Sequence, residues 1–262
     1  RLGKFGLYMP SEKPVIVGYD AISPLGTDMR TQWAKAVMGE SGIGGLTRFA
    51  LTDDFPVHIA GEVDNIDTEL YPFLSPRNLA LWPSPIFKYA MLVVHRALVK
   101  SGIEITPELS SRVAITFSSA VGGQDTVLKA DRRLISESKL PPPYTNPNSC
   151  INMVGGKISI LTNATGPITS TITACATGVT SMIIGAMLLA QGMADIALCG
   201  AVDFALVEPI VAGFATMGGA YSHKSEHARE PAGKASRPFS IDRRGFVVSE
   251  GAGCIIIATK EF

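Results

Sequence analysis

The feature that most restricts this sequence is an uncharged apolar segment that runs from Val179 to Ala190, shortly after Cys175. Wound as an α-helix, the segment places aliphatic side chains on every side, and a helix that is apolar all round belongs inside a large core. Gly178 and Gly185 weaken such a helix but let neighbouring elements pack closely against it. Because the segment is too short to span a bilayer, we expect a buried internal helix and no membrane insertion.

Strands and helices alternate along the rest of the chain. Short β-branched runs bounded by Gly or Pro predict buried strands, and apolar residues at helical spacing predict helices. The proline-rich stretch 141–147 predicts an extended connector within one domain. The alternation as a whole is typical of a layered α/β fold. The predicted strands cover 15–17, 113–117, 168–173, 196–202 and 254–258, and the predicted helices cover 29–38, 86–100, 124–136 and 176–191.

The charges of the chain balance, with 23 Lys and Arg residues against 23 Asp and Glu residues. A neutral chain has no overall field that favours nucleic acid, so we expect no nucleic-acid partner. Only 18% of the residues are charged and 46% are hydrophobic, which excludes intrinsic disorder. So apolar a composition predicts that a partner covers part of the surface.

The cysteines and histidines predict no metal site. Cys150, Cys175, Cys199 and Cys254 stand far apart, without the spacing of metal ligands, as is typical of reduced thiols in a cytoplasmic protein. No secretory signal pattern is present, which also favours a cytoplasmic location.

The histidines of the chain predict no metal site either, and no motif predicts a cofactor. His95 lies on the charged side of a predicted helix, where we expect it to be exposed. His223 and His227 are four residues apart, but their polar segment is a poor helix former, so we expect a surface loop and no metal.

Cys175 stands where a predicted strand meets the apolar helix, within Thr173–Gly178. The first N–H groups of a helix are unpaired and its dipole is positive there, so a thiolate is favoured over a thiol at this position. The thiolate is the nucleophilic form. The sequence therefore leaves two interpretations of Cys175 open, an ordinary core residue and a catalytic nucleophile.

The stretch around Cys175 resembles the nucleophile loop of the β-ketoacyl synthases, the condensing enzymes of fatty-acid and polyketide synthesis. Other motifs follow in the order of that family over nearly the whole chain from residue 14. They are VIVGYDAISPLG at 15–26, Ser119–Gly123, Asn152-Met153, Gly166-Pro167, ADIALCGAVDFAL from Ala194, Gly213-Phe214-Ala215 and Ser222, Ser236–Phe239, Gly245-Phe246-Val247 and Glu250–Gly253.

The resemblance implies a thiolase-like layered α/β fold, of which this chain is the N-terminal half. Residues 1–13 would be an N-terminal extension and residues 14–262 the β-ketoacyl synthase N-terminal domain. The family forms homodimers, and its second half supplies two histidines, a lysine and a Gly-Phe-rich loop. None of the four histidines of this chain stands in a matching motif.

The resemblance also implies a function and a set of site residues. Cys175 would accept an acyl group from an acyl carrier protein bearing phosphopantetheine thioesters and then condense it with a malonyl thioester. Val121 matches a position that helps to set acyl-chain length, and Phe214 matches an aromatic residue that lines the acyl pocket. Glu250 matches a buried acidic residue with a structural or supporting role.

The sequence departs from the family at several positions. Ser240 and Arg244 stand where the family has Asp, and Ser249 stands where it has Gly. The segment Ser75–Ala90, which in the family is often basic and docks the carrier protein, contains only Arg77 and Lys88. The basic residues between Lys224 and Arg244 leave two interpretations open, a modest alternative docking patch or simply a solvated loop.

Two other functions stay open at this point. One is a non-catalytic, chain-length-factor-like partner subunit of a synthase, but such subunits lack the nucleophile and this chain has Cys175. The other is a thiolase-like enzyme that uses coenzyme A, but Arg237-Pro238-Phe239 and Glu250–Gly253 fit the synthase branch better.

Overall fold

The structure, a computed structural model, describes residues 13–223 and 230–262. Its centre is a five-stranded sheet with the strand order β1-β7-β6-β4-β5. The short strands β2 and β3 form a separate antiparallel pair. The strands are β1 (Val15–Ile22), β2 (Ile43–Gly45), β3 (Ile59–Gly61), β4 (Val113–Ser118), β5 (Ile168–Thr169), β6 (Ile196–Asp203) and β7 (Gly251–Ala258).

Helices connect these strands and cover the sheet. β4, β5 and β6 are parallel to one another, whereas β7 is antiparallel to both of its neighbours, β6 and β1. The helices are α1 (Met29–Val37), α2 (Pro76–Leu81), α3 (Pro85–Ser101), α4 (Pro107–Ser110), α5 (Gln124–Glu137), α6 (Thr145–Ser149), α7 (Asn152–Thr162), α8 (Thr177–Ala190) and α9 (Glu208–Thr216).

The main core lies between the sheet and the helices α3 and α7. α3 begins at Pro85, where a missing N–H costs nothing, and ends at Gly102, whose positive φ of 69° suits glycine. Its apolar residues from Ile86 to Ala97 are largely buried against β1, β7 and β6. The helix that the sequence predicted at 86–100 is therefore confirmed.

α8 covers the other face of the sheet and packs on β4 and β6. The prediction that this helix is buried all round was wrong for the described chain. Val179, Ile183 and Met187 are 62%, 54% and 60% exposed, and their spacing of four residues places them on one side of the helix. One face packs on the sheet, and nothing among the described residues covers the opposite face.

Three other local predictions differ from the structure, because packing between elements outweighs the local sequence pattern. β1 is an edge strand with Val15, Ile16 and Tyr19 exposed, not a buried strand. The strand predicted at 168–173 stops at Thr169, and the connector 141–147 leads into α6. Among the described helices, none is both long and apolar enough to cross a membrane.

His95 is half-buried, although the sequence predicted exposure. Its ring lies 5.0 Å from that of Phe73 and 6.0 Å from that of Tyr71, centroid to centroid. Burial between these rings lowers the pKa of His95, with a smaller contribution from Arg96. The charged side of α3 is therefore partly covered by the segment that precedes α2.

Candidate functional site

The segments that carry the residues singled out by the sequence meet at one edge of the sheet. The parallel strands β4, β5 and β6 end at the same edge, and the segments that follow them carry Val121, Cys175 and Phe214. Glu250 directly precedes β7, whose first residue Gly251 pairs with Asp203 at the end of β6. The topology therefore places Val121, Cys175 and Glu250 in segments that begin or end at this edge, and Phe214 lies on α9, which follows β6.

Cys175 lies in a short 3-10 turn, Ala174–Ala176, that leads into α8. Its side chain is exposed. Ala174, directly before it, has a φ of 51°, in the left-handed region that a residue with a Cβ adopts only at a cost. The junction that the sequence predicted is thus a tight, strained turn that presents a thiol at the start of a helix.

Cys175 also lines an apolar cavity of about 590 Å³ between α8 and the sheet. Gly178, Val179 and Met182 form the helix side of this cavity, and Tyr19 and Ile255 belong to its sheet side. The cavity borders the uncovered face of α8. A partner on that face would therefore enclose the space beside the thiol.

The other thiols have different environments. Cys150 is exposed like Cys175, whereas Cys199 and Cys254 are buried. Burial raises the pKa of Cys199 to about 11, and burial also holds the pKa of Cys254 well above the usual thiol value. Both buried sulfurs are therefore protonated at neutral pH and poor nucleophiles.

Val121 and Phe214 are half-buried against the main core, and neither lines the cavity beside Cys175. The Phe214 ring packs edge-on against the Phe246 ring, with centroids 5.3 Å apart. A contact of either residue with an acyl chain stays a prediction.

Asp203, which the sequence analysis did not single out, holds the loop that carries Val121. Its Oδ1 accepts hydrogen bonds from the Ser119 hydroxyl at 2.8 Å and from the N–H groups of Ala120 and Val121 at 2.9 and 3.1 Å. A lone acidic residue at the end of the apolar strand β6 is the signal in the sequence that points to it.

Glu250 is 3% exposed and joins three segments of the chain. Its Oε1 accepts from Arg48 Nε at 3.0 Å and from the Val63 N–H at 2.7 Å. Burial raises the pKa of Glu250, and the Arg48 guanidinium opposes that shift. These contacts tie the segments before and after β3 to the start of β7, as a structural role requires.

The positions that depart from the family lie on the surface near this edge. Ser240 donates its hydroxyl to Asp242, and Arg237 pairs with Asp242 and with Glu230. Arg244 is exposed. Ser249 lies so close to β3 that a Cβ added at Gly61 would stand 2.2 Å from its Oγ.

The candidate docking segment offers one basic side chain to solvent. Arg77 is exposed, whereas Lys88 is half-buried with its Nζ 5.3 Å from the Tyr89 ring centroid. Burial lowers the pKa of Lys88, and Arg48 adds to that effect.

The histidines form no metal centre in the part of the chain that the structure describes. The His58 and His223 rings stack with centroids 4.8 Å apart, and His227 lies outside the described residues. Within 13–223 and 230–262, no group of three His, Cys, Asp or Glu side chains is arranged to hold a metal ion.

Comparison with known proteins agrees with this geometry. The 3-oxoacyl-[acyl-carrier-protein] synthase 2 of Coxiella burnetii is 32% identical over 255 residues, which are 97% of this chain and 59% of that protein. A β-ketoacyl synthase of Burkholderia phymatum superposes with a TM-score of 0.82 at 20% identity, covering 95% of this chain and 60% of that structure.

A third similar structure is AntDE:AntF, described as a type II polyketide synthase acyl-carrier protein in complex with its ketosynthase bound to the hexaketide. It superposes with a TM-score of 0.79 at 20% identity over 95% of this chain and 59% of that structure. The chain thus spans about three fifths of the length of the curated relatives that it matches. A family model described as "Beta-ketoacyl synthase, N-terminal domain" matches residues 12–262, and the chain therefore belongs to the β-ketoacyl synthase family.

Proposed function

We propose that this chain is the part of a decarboxylating β-ketoacyl synthase that carries the acyl group, and that Cys175 is its nucleophile. The observation that supports this most is the exposed thiol on a strained turn at the start of α8. An exposed cysteine sulfur can reach the carbonyl carbon of a thioester and attack it as a nucleophile.

The first stage transfers an acyl group. The Cys175 sulfur attacks the carbonyl carbon of an acyl thioester on a carrier protein, and a new C–S bond forms. The carrier's C–S bond then breaks, and the phosphopantetheine thiol leaves with the proton. The backbone N–H of Cys175 would stabilise the oxyanion between these events.

The second stage extends the chain. Loss of carbon dioxide from a malonyl thioester leaves a carbanion, which attacks the carbonyl carbon of the acyl-cysteine. A C–C bond forms, the C–S bond to Cys175 breaks, and the products are a 3-oxoacyl thioester on the carrier and the Cys175 thiolate. By resemblance, histidines of the second half polarise the malonyl carbonyl. No histidine of this chain stands in the corresponding motif, so we expect this chain by itself to complete only the first stage.

The partner in both stages is an acyl carrier protein. The AntDE:AntF structure, which holds a carrier protein with its ketosynthase, supports this choice. Because Lys88 is turned inward and Arg77 is exposed, we expect Ser75–Ala90 to contribute little charge to docking. Exposed Arg243 and Arg244 would supplement it.

A chain-length-factor-like subunit is the alternative function, since it would have the same fold. It would shape the pocket of an active synthase without forming a covalent intermediate. Acylation of Cys175 separates the two functions directly.

The test is mass spectrometry of the 262-residue chain after incubation with an acyl thioester. We expect slow acylation at Cys175, because the absence of one oxyanion donor lowers such rates on the order of a hundredfold or more. Cys175→Ser abolishes the modification, whereas Cys150→Ser, which changes the other exposed thiol, leaves it intact.

Carbon dioxide release from a malonyl thioester is measured in parallel and should be undetectable. Cys175-dependent release would refute the division of roles between the two halves. Acylation that persists in Cys175→Ser would refute the nucleophile, and the absence of any acylation of the unchanged chain would favour the partner-subunit function.

A further inference from the structure

The turn before α8 needs a restraint, because Ala174 holds a φ of 51°. For a residue with a Cβ this conformation is unfavourable and persists only where surrounding contacts enforce it. Ala174 and Cys175 are themselves exposed, so packing of their side chains cannot supply the restraint.

The hydroxyl of Thr177 supplies it. Thr177 is the first residue of α8 and is 1% exposed. Its Oγ1 accepts from the Thr173 N–H at 3.0 Å and donates to the Ala174 carbonyl oxygen at 2.7 Å. An N–H can only donate and a carbonyl can only accept, so chemistry fixes the direction of both bonds.

These two hydrogen bonds connect the turn before Cys175 to the first residue of the helix after it. The buried Thr177 hydroxyl holds the Thr173 N–H and the Ala174 carbonyl, which both precede Cys175 in the chain. The backbone of Thr177 begins the helix that follows Cys175. Without the hydroxyl, Ala174 can relax toward negative φ and turn the sulfur away from the helix start. We propose that Thr177 is the positioning residue that holds the Cys175 turn in its reactive conformation, an inference that rests on the proposed function of Cys175.

The experiment compares Thr177→Val, which keeps the shape and loses the hydroxyl, with Thr177→Ser, which keeps the hydroxyl. Thr180→Val is the matched control, since the Thr180 hydroxyl contacts the Thr173 side chain at 2.7 Å and makes no bond to the turn backbone. Alkylation rates with iodoacetamide are measured at each cysteine by peptide mass spectrometry.

The chain contains its own internal standards. Cys150 is exposed and reports the general rate, whereas buried Cys199 lies directly under Gly185 of α8 and reports whether that helix stays docked. We expect Thr177→Val to slow alkylation of Cys175 about tenfold, the size expected for losing two hydrogen bonds. Thr177→Ser restores the rate, and Thr180→Val stays within about twofold of the unchanged protein.

The outcomes separate the two proposals. If Cys175 of the unchanged protein reacts no faster than Cys150, the nucleophile assignment fails. If it reacts faster but Thr177→Val leaves its rate unchanged, only the role of Thr177 is overturned. If Cys199 becomes reactive in Thr177→Val and Thr177→Ser alike, the residue supports helix packing and the positioning role is rejected.

Discussion

Ala174 shows how a single residue can resist the conformation that its neighbours impose. Its positive φ places the Cβ close to its own carbonyl oxygen, which glycine would avoid. The alanine therefore opposes a turn whose geometry the Thr177 hydroxyl maintains. The proposed function of Cys175 depends on this turn, whereas the stability of the chain would improve with a smaller residue at position 174.

We expect Ala174→Gly to raise the free energy of unfolding by about 1 kcal/mol, because glycine removes the steric cost of the left-handed region. Ala176→Gly is the matched control, since Ala176 has a φ of −90° and gains no such relief. Urea titration measures both variants. Equal destabilisation by the two substitutions would contradict the strain at Ala174.

At the scale of elements, α8 and β6 pack so closely that one position accepts only glycine. A Cβ built at Gly185 would lie 2.4 Å from Cys199 Sγ and 3.2 Å from the Ala197 Cβ. Gly178 lies two turns earlier on the same face of the helix, and a Cβ built there would lie 3.6 Å from the Ala201 Cβ, an ordinary contact. Packing against β6 therefore favours glycine at position 185, whereas it leaves room for a Cβ at position 178.

Gly185→Ala should lower the free energy of unfolding by about 1–3 kcal/mol, because the added methyl group overpacks the interface with β6. Gly178→Ala should be neutral or stabilising by up to about 1 kcal/mol, since alanine is the better helix former. Adding Cys199→Ala to Gly185→Ala recovers part of the loss by removing the sulfur. Chemical denaturation measures the free energy of unfolding of each variant. Equal values for Gly185→Ala and Gly178→Ala would contradict the close packing at Gly185.

Some elements could be predicted from sequence and others could not. α3, α5, β4 and β6 have strong apolar periodicity or β-branched runs and clear Gly or Pro boundaries, so the pattern located them. α7 contains Gly155 and Gly156 in a β-branched stretch of weak propensity. It is helical because it packs on α3 and β4, and Gly155 allows the approach of Ile168; such tertiary contacts do not show in a local pattern.

In the candidate site, too, local pattern predicted some features, and others depend on tertiary contacts. The strand–helix junction and ordered motifs located Cys175, and the fold places Val121 and Glu250 in segments at the same edge. The left-handed Ala174 and the two bonds of Thr177 depend on the geometry of a few residues, which composition and spacing do not encode. Asp203 was missed because its partners lie more than eighty residues away in the chain.

At the scale of the whole molecule, two apolar surfaces lack cover among the described residues. One is the side of α8 that carries Val179, Ile183 and Met187, and the other is the outer edge of the sheet at β5, where Ile168 and Ile172 are exposed. Single exposed apolar residues are ordinary, but contiguous ones mark contact surfaces. The family resemblance implies that the region of β5 pairs across a two-fold axis.

We therefore expect the chain to self-associate through the edge at β5. Sedimentation velocity at micromolar concentration should give a species larger than the 27.7 kDa chain. Ile172→Lys, three residues after the end of β5, should shift it toward the monomer, because a charge placed on an exposed apolar surface opposes its burial against a second chain. Val37→Lys, which alters an exposed residue on α1, serves as control, and a clean monomer of the unchanged chain would count against association.

The place of β7 in the sheet also affects how the chain is made. β7 follows β1 by more than two hundred residues among those that the structure describes, yet it lies between β1 and β6, and Val15 pairs with Ala258. Until β7 is synthesised, β1 has no partner and β6 keeps an open edge, the condition in which strands pair with the wrong chain. Contacts so distant in sequence also form slowly. A fragment that stops before Gly251 would therefore leave β1 without its partner strand and one edge of β6 open.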